Sequence, residues 1–215
     1  MHKILEAIVW AFRIRSPLRT LNENSDSKRR FFVRRKHRLD KQLFSEQKQN
    51  MSLDKRYDLI MVRVNDVAEY ILQNSASPMS AMKLQKLCYY SQAWSLVWDD
   101  APLFDQKFQA WKNGPVCPDL YSEHRGQFSV EAGGVNGRAS ALNRTQRETI
   151  DAVLKYYGKH SAQWLSDLTH AEDPWREARG DHEDGARCVN VISQAAMAEY
   201  YSALPPDTAN SNSSL

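Results

Sequence analysis

From Ser80 to Trp98 the chain encodes one long helix whose apolar face runs most of the way round. Leu84, Leu87, Cys88, Ser91, Trp94, Ser95 and Trp98 recur at three- and four-residue steps, the helical period. Tyr89, Tyr90, Ala93 and Val97 widen that face. A helix this broadly apolar has to sit at the centre of a fold with neighbours on two sides. Ser80 is its expected N-cap. Lys83 and Lys86 are expected on its polar side, near the start.

Shorter helices surround this one in the sequence. Asn65 is an expected cap, with Asp66 in the first turn and Val67, Ala68, Ile71 and Leu72 on one face. Phe104, Phe108, Ala110 and Trp111 allow a short strand or hairpin, broken by Asn113-Gly114-Pro115. Pro118 suits the first turn of a short helix with Leu120 and Tyr121. The Gly-containing stretch Glu131–Ser140 reads as a loop. Thr145 and Glu148 form a capping box for a helix ended by Gly158. Ser161 caps another helix, Asp173-Pro174-Trp175 opens a further short one, and Ser193 begins the last. Pro205-Pro206 stops it.

Charge divides the chain. Residues 1–60 hold 15 Lys/Arg against 7 Asp/Glu, and the remainder 14 against 19. Opposite signs in the two parts predict an arm and a folded body. The predicted class is mainly α: a single compact helical domain over residues 61–204 with a short β-hairpin, behind a basic, disordered arm over residues 1–60 and before a disordered tail at 205–215. Three cysteines at wide spacing do not form a disulfide framework, so a reducing, cytoplasmic setting is expected. No run reaches the roughly 18 apolar residues of a membrane span.

The arm carries Arg29, Arg30, Arg34, Arg35, Lys36 and Arg38, interrupted by Phe31, Phe32 and Val33. Such a cluster holds phosphates while aromatics stack on bases, so DNA or RNA is one expected partner. An amphipathic start at Met1–Phe12 beside a basic run also suits an anionic membrane surface. A solvated tail is the plainer expectation, with Met51 and Met61 as alternative starts.

No catalytic motif emerges. There is no C-x-x-C pair, H-E-x-x-H or G-x-S-x-G, and no phosphate-cradling Gly-rich loop. No metal or cofactor is expected. His170, Glu172 and Asp173, with His182 or His160 arriving in space, form the nearest approach to a ligand set. The plainer reading makes His170 a helix end and Asp173 a cap. A Cys117–His124 pair lacks an orienting third group, and Cys88 reads as a small core residue. Five of the six Trp and eight of the nine Tyr fall in the body and dominate its chemistry. Most are expected in the core, with the remainder lining a groove for a partner chain.

Met82-Lys83-Leu84-Gln85-Lys86-Leu87-Cys88-Tyr89-Tyr90-Ser91-Gln92-Ala93-Trp94 resembles the signature helix of the Panacea domain family, which includes SocA-like antitoxins. The resemblance continues through Pro102-Leu103-Phe104, Ala110-Trp111-Lys112-Asn113-Gly114-Pro115-Val116-Cys117-Pro118 and Tyr121. It resumes at Leu165-Ser166-Asp167-Leu168-Thr169-His170 and Pro174-Trp175. Departures are mild: Cys88 and Cys117 stand where aliphatic residues are commoner, and Asn113 where an aromatic is common.

The resemblance implies an antitoxin that neutralises a co-encoded toxin by direct contact, with no catalytic residues. It also implies delivery of the toxin to a Clp-type protease, as for a proteolytic adaptor, and some members are phage-associated. The motif residues expected to bind the partner or hold the motif are Lys83, Gln85, Lys86, Tyr89, Tyr90, Trp94, Trp111, Lys112, Gly114, Pro115, Tyr121, His170 and Trp175. Within that set, Gln85 is expected to bond backbone in the Trp111–Pro115 segment, and Gly114-Pro115 to form a tight turn presenting Trp111 and Lys112 beside the long helix. His170 and Trp175 are expected to brace its other side, with burial of Trp111 contributing about 2–4 kcal/mol.

Overall fold

A computed structural model describes residues 62–75, 78–183 and 185–204. The arm, its basic cluster and the tail lie outside the described residues. In chain order the elements are α1 (Val64–Gln73), β1 (Met79–Ser80), α2 (Ala81–Trp98), β2 (Phe108–Trp111), β3 (Gly114–Val116), α3 (Pro118–His124) and β4 (Ser129–Val130). A 3-10 turn at Ala139–Ala141 leads to α4 (Arg144–Tyr157), α5 (Ala162–Ala171), α6 (Asp173–Arg179), β5 (Val191–Ile192) and α7 (Gln194–Ser202). The fold is mainly helical, with two small sheets, and the helical periodicities of the sequence account for its class.

The axis is α2. Every residue from Leu84 to Ser95 is buried, and α1, α4, α5, α7 and β3 all pack on it. Burial on all sides follows from an apolar face too wide for one neighbour. Tyr90 stacks on Tyr157 of α4 with ring centroids 4.0 Å apart. Trp94 donates its indole N–H to the Tyr157 hydroxyl at 3.1 Å. Tyr89 meets Phe108 of β2 edge-on at 5.3 Å. Each such side chain removed from water contributes about 1.5–3 kcal/mol.

Two antiparallel sheets accompany the helices. β1 pairs with β4, and the second sheet runs in the order β3-β2-β5. The expected hairpin is β2–β3, with Trp111 opposite Gly114 and Ala110 opposite Pro115. β5, arriving 80 residues later in the chain, pairs on the other side of β2, with Phe108 opposite Ile192.

Helix starts are set by side-chain caps. Ser80 accepts from Lys83 N, Ser161 from Trp164 N and Ser193 from Ala196 N, as expected. Three boundaries differ. The α4 box is Asn143 with Gln146, two residues earlier than the Thr145–Glu148 pairing, because both Asn143 and Gln146 reach the facing backbone N–H. α1 begins at Val64, before Asn65, and the Asp66 carboxylate accepts from Arg63 N at 2.9 Å. α6 is capped at Glu172, so Asp173 is its first residue.

Lys86 is also misplaced by the sequence pattern. It is fully buried, on the side of α2 that faces β3 and α5. Lys83 is half-buried, with its ammonium donating to Gly158 O at 2.7 Å. Among the described residues no helix is long and apolar enough to cross a membrane.

Candidate functional site

The β2–β3 hairpin is held by its own backbone carbonyls. Arg179 of α6 donates to Ala110 O at 3.1 Å, and the Trp175 indole to Trp111 O at 3.0 Å. Ser166 of α5 donates to Asn113 O at 3.0 Å. From α2, Lys86 donates to Pro115 O at 3.0 Å. Gln85 accepts from Cys117 N at 2.8 Å and donates to Cys117 O at 3.4 Å. Five side chains from three helices thus satisfy acceptors that a short hairpin leaves open. Gln85 was expected to reach the Trp111–Pro115 stretch and instead bonds two residues beyond it.

Gly114 is required where it stands. Its φ is +94°, and a Cβ there would lie 2.6 Å from Thr169 Oγ1 and 2.7 Å from Lys86 Nζ. The turn therefore settles directly onto the lysine ammonium. Burial pushes the Lys86 pKa down to about 7, and among the described residues no carboxylate pairs with it. Such a group costs stability when charged, yet it bridges α2 to the hairpin.

His170 stacks on Trp175 at 4.1 Å, and the Arg179 guanidinium lies over the Trp175 ring at 5.1 Å. Burial, then the nearby Lys86 charge, lowers the His170 pKa. Trp175, with His170 stacked on it, braces the hairpin through its indole bond to Trp111 O. Trp111 does not pack into the core. It is half-exposed on β2, donates to Gln109 Oε1 at 2.8 Å and meets Tyr121 edge-on at 5.0 Å. Lys112 is exposed at the hairpin tip.

The structure sorts the candidate residues into two groups. Gln85, Lys86, Tyr89, Tyr90, Trp94, Gly114 and Pro115 are buried and build the support. Lys112 is exposed, and Lys83, Trp111, Tyr121, His170 and Trp175 are half-buried.

The would-be metal ligands go to different partners. Glu172 turns into the core, accepting from Tyr201 at 2.6 Å and Tyr90 at 3.3 Å. Burial raises its pKa to about 8, against the pull of those two hydroxyls. Asp173 pairs with Arg176, and His170 stacks on Trp175. Among the described residues no group of three His, Cys, Asp or Glu side chains is placed to hold a metal ion. Burial pushes the Cys117 thiol up to about 11, the wrong direction for a nucleophilic thiolate. His124 contacts Gln85 at 3.0 Å. The Glu172–tyrosine cluster and the Arg179 contact were missed by sequence reasoning. In the sequence Glu172 reads as part of a possible ligand set with His170 and Asp173, and Arg179 carries no local signal of burial.

A family model described as "Antitoxin SocA-like, Panacea domain" matches residues 84–176. Antitoxin SocA of Caulobacter vibrioides (strain NA1000 / CB15N) is 33% identical over 124 residues, covering 51% of this chain and 66% of the relative. The chain thus spans just under two thirds of that relative's length. No solved structure matches the chain. The matched interval runs from Leu84, ahead of the support residues on α2, to Arg176 of α6, and so includes all of the hairpin and most of its clasp. The chain therefore carries a SocA-like Panacea domain across residues 84–176.

Proposed function

We propose that this protein acts as an antitoxin by gripping a toxin polypeptide directly, without catalysing a reaction. One observation supports this reading above others: the polar side chains of the motif bond the hairpin backbone, while Trp111, Tyr121 and Trp175 are the motif aromatics that stay partly open to solvent. A rigid, preformed aromatic surface lowers the ordering cost of association, and Trp and Tyr are the side chains that carry binding energy at protein interfaces. The partner is the toxin encoded beside this chain. Growth rescue on co-expression with the adjacent gene product, and recovery of the two proteins as one complex, test the reading. A toxin still lethal at equal expression, with no complex, contradicts it. Toxin half-life with and without a Clp-type protease separates sequestration from delivery for degradation.

The charge split favours a second role. With 15 Lys/Arg against 7 Asp/Glu in residues 1–60, the arm suits nucleic acid, through Arg29, Arg30, Arg34, Arg35, Lys36 and Arg38. That role predicts binding that falls steeply with salt and disappears when residues 1–60 are removed.

A further inference from the structure

The outward face of the three-stranded sheet carries no charge at its centre. β2 alternates buried and half-exposed residues, so Phe108 and Ala110 face the core while Gln109 and Trp111 face out. The register places Val116, Gln109 and Val191 in one row across β3, β2 and β5. Val116 is half-exposed and Val191 is 47% exposed. Val189, just before the Ala110 N to Asn190 O hydrogen bond, is 50% exposed. Among the described residues these two valines and Phe128 are the only large apolar side chains so exposed. Tyr121 extends the same face beyond Trp111.

An antiparallel sheet with one solvated face ordinarily places polar residues there. Here the row is Val-Gln-Val, and the single polar member is engaged with Trp111. An apolar patch of this kind marks an interaction site. Its border is mostly polar: Asp105, Gln106, Lys107 and Asp119, with Pro118, join Gln109 and Val191 around a cleft of about 490 Å³. An apolar, aromatic centre inside a charged rim is the anatomy of a protein interface. A phosphate backbone would need cations at the centre, and none is present.

We infer that this sheet face, centred on Val116, Trp111 and Val191, is the surface that grips the toxin. Its complement is an apolar protein patch with a basic flank, because the cleft border holds two acids, Asp105 and Asp119, against one base, Lys107. Neither acid forms an ion pair among the described residues. The inference rests on the antitoxin reading and assigns it a location. Val116, Gln109, Val189 and Val191 join Trp111 and Tyr121 in the interface, while His170 and the α5–α6 side act as support.

The test is capture of the adjacent gene product by the full chain and by three variants. Val191→Lys places a charge at the centre of the patch, Asp119→Lys reverses the rim, and Phe128→Lys alters an exposed apolar residue outside the sheet. Capture is expected to weaken on the order of tenfold or more for Val191→Lys, to weaken several-fold for Asp119→Lys, and to stay unchanged for Phe128→Lys. All three substituted side chains are exposed, and thermal melting of each variant confirms that it folds. Wild-type levels of capture by both Val191→Lys and Asp119→Lys overturn the location while leaving the antitoxin reading intact. Absence of capture by the unmodified chain overturns both. Sedimentation that shows the unmodified chain as a dimer and Val191→Lys as a monomer assigns the face to a second copy, and so also overturns the proposal.

Discussion

The ammonium of Lys86 donates to the carbonyl of Pro115 at 3.0 Å, and both residues are buried. This bond crosses 29 residues of sequence and joins the central helix to the hairpin that presents Trp111. It also places an ionisable group in a site without a counter-charge among the described residues. Lys86 has a pKa near 7 when folded against 10.5 otherwise, so between those values the folded state binds fewer protons than the unfolded state. Stability from this group therefore rises with pH across about 7 to 10.5. Lys86→Met is expected to flatten that rise, measured as urea midpoints between pH 7 and pH 10.

Glu172 has the opposite sign. Its folded pKa is about 8 against 4.5, so the folded state binds more protons between those values. Stability from Glu172 is complete below about pH 4.5 and is lost as pH rises through 8. Glu172→Gln is expected to remove that loss, keeping an acceptor for Tyr201. Together the two groups predict a stability minimum between about pH 7 and 8, read as melting temperature against pH. A maximum in that window would refute the burial of both groups.

Gly114→Ala is expected to be severely destabilising. The positive φ alone costs about 1–3 kcal/mol, and the new methyl would meet Thr169 and Lys86 at 2.6–2.7 Å. Denaturant titration measures the loss. A cost below about 1 kcal/mol would show that the turn does not settle on Lys86.

Trp94→Ala and Trp111→Ala should separate stability from binding. Trp94 is buried at 4% exposure, and truncating such a side chain costs about 3–5 kcal/mol. Trp111 is half-exposed on the sheet, and its loss is expected to cost about 1 kcal/mol or less, within the range of surface changes. Differential scanning calorimetry of the two variants gives the comparison.

Much of this architecture is legible in the sequence. The wide apolar face of residues 84–98 forces a central helix, and Ser80, Ser161 and Ser193 mark helix starts by local chemistry. The turn at Gly114-Pro115 is equally local. What escapes is whatever depends on distant partners. Lys86 looks like a surface lysine because the carbonyl that receives it lies on a strand 29 residues away. Glu172 looks like a candidate ligand beside His170 and Asp173 because its tyrosine partners sit 82 residues before it and 29 after. The sheet face escapes for a different reason: β3 and β5 are three and two residues long, too short for alternation to show. Which of the motif residues are buried and which stay partly open to solvent is not legible, because that division depends on distant packing.

The central claim is that the clasped hairpin presents Trp111 to a protein partner, and calorimetric titration of the adjacent gene product into the full chain and into Trp111→Ala tests it most directly. The account predicts a saturable complex with the unmodified chain and binding weakened on the order of tenfold by Trp111→Ala, with melting temperature nearly unchanged. Equal affinity for the two proteins, or no heat of binding with the unmodified chain, would contradict it.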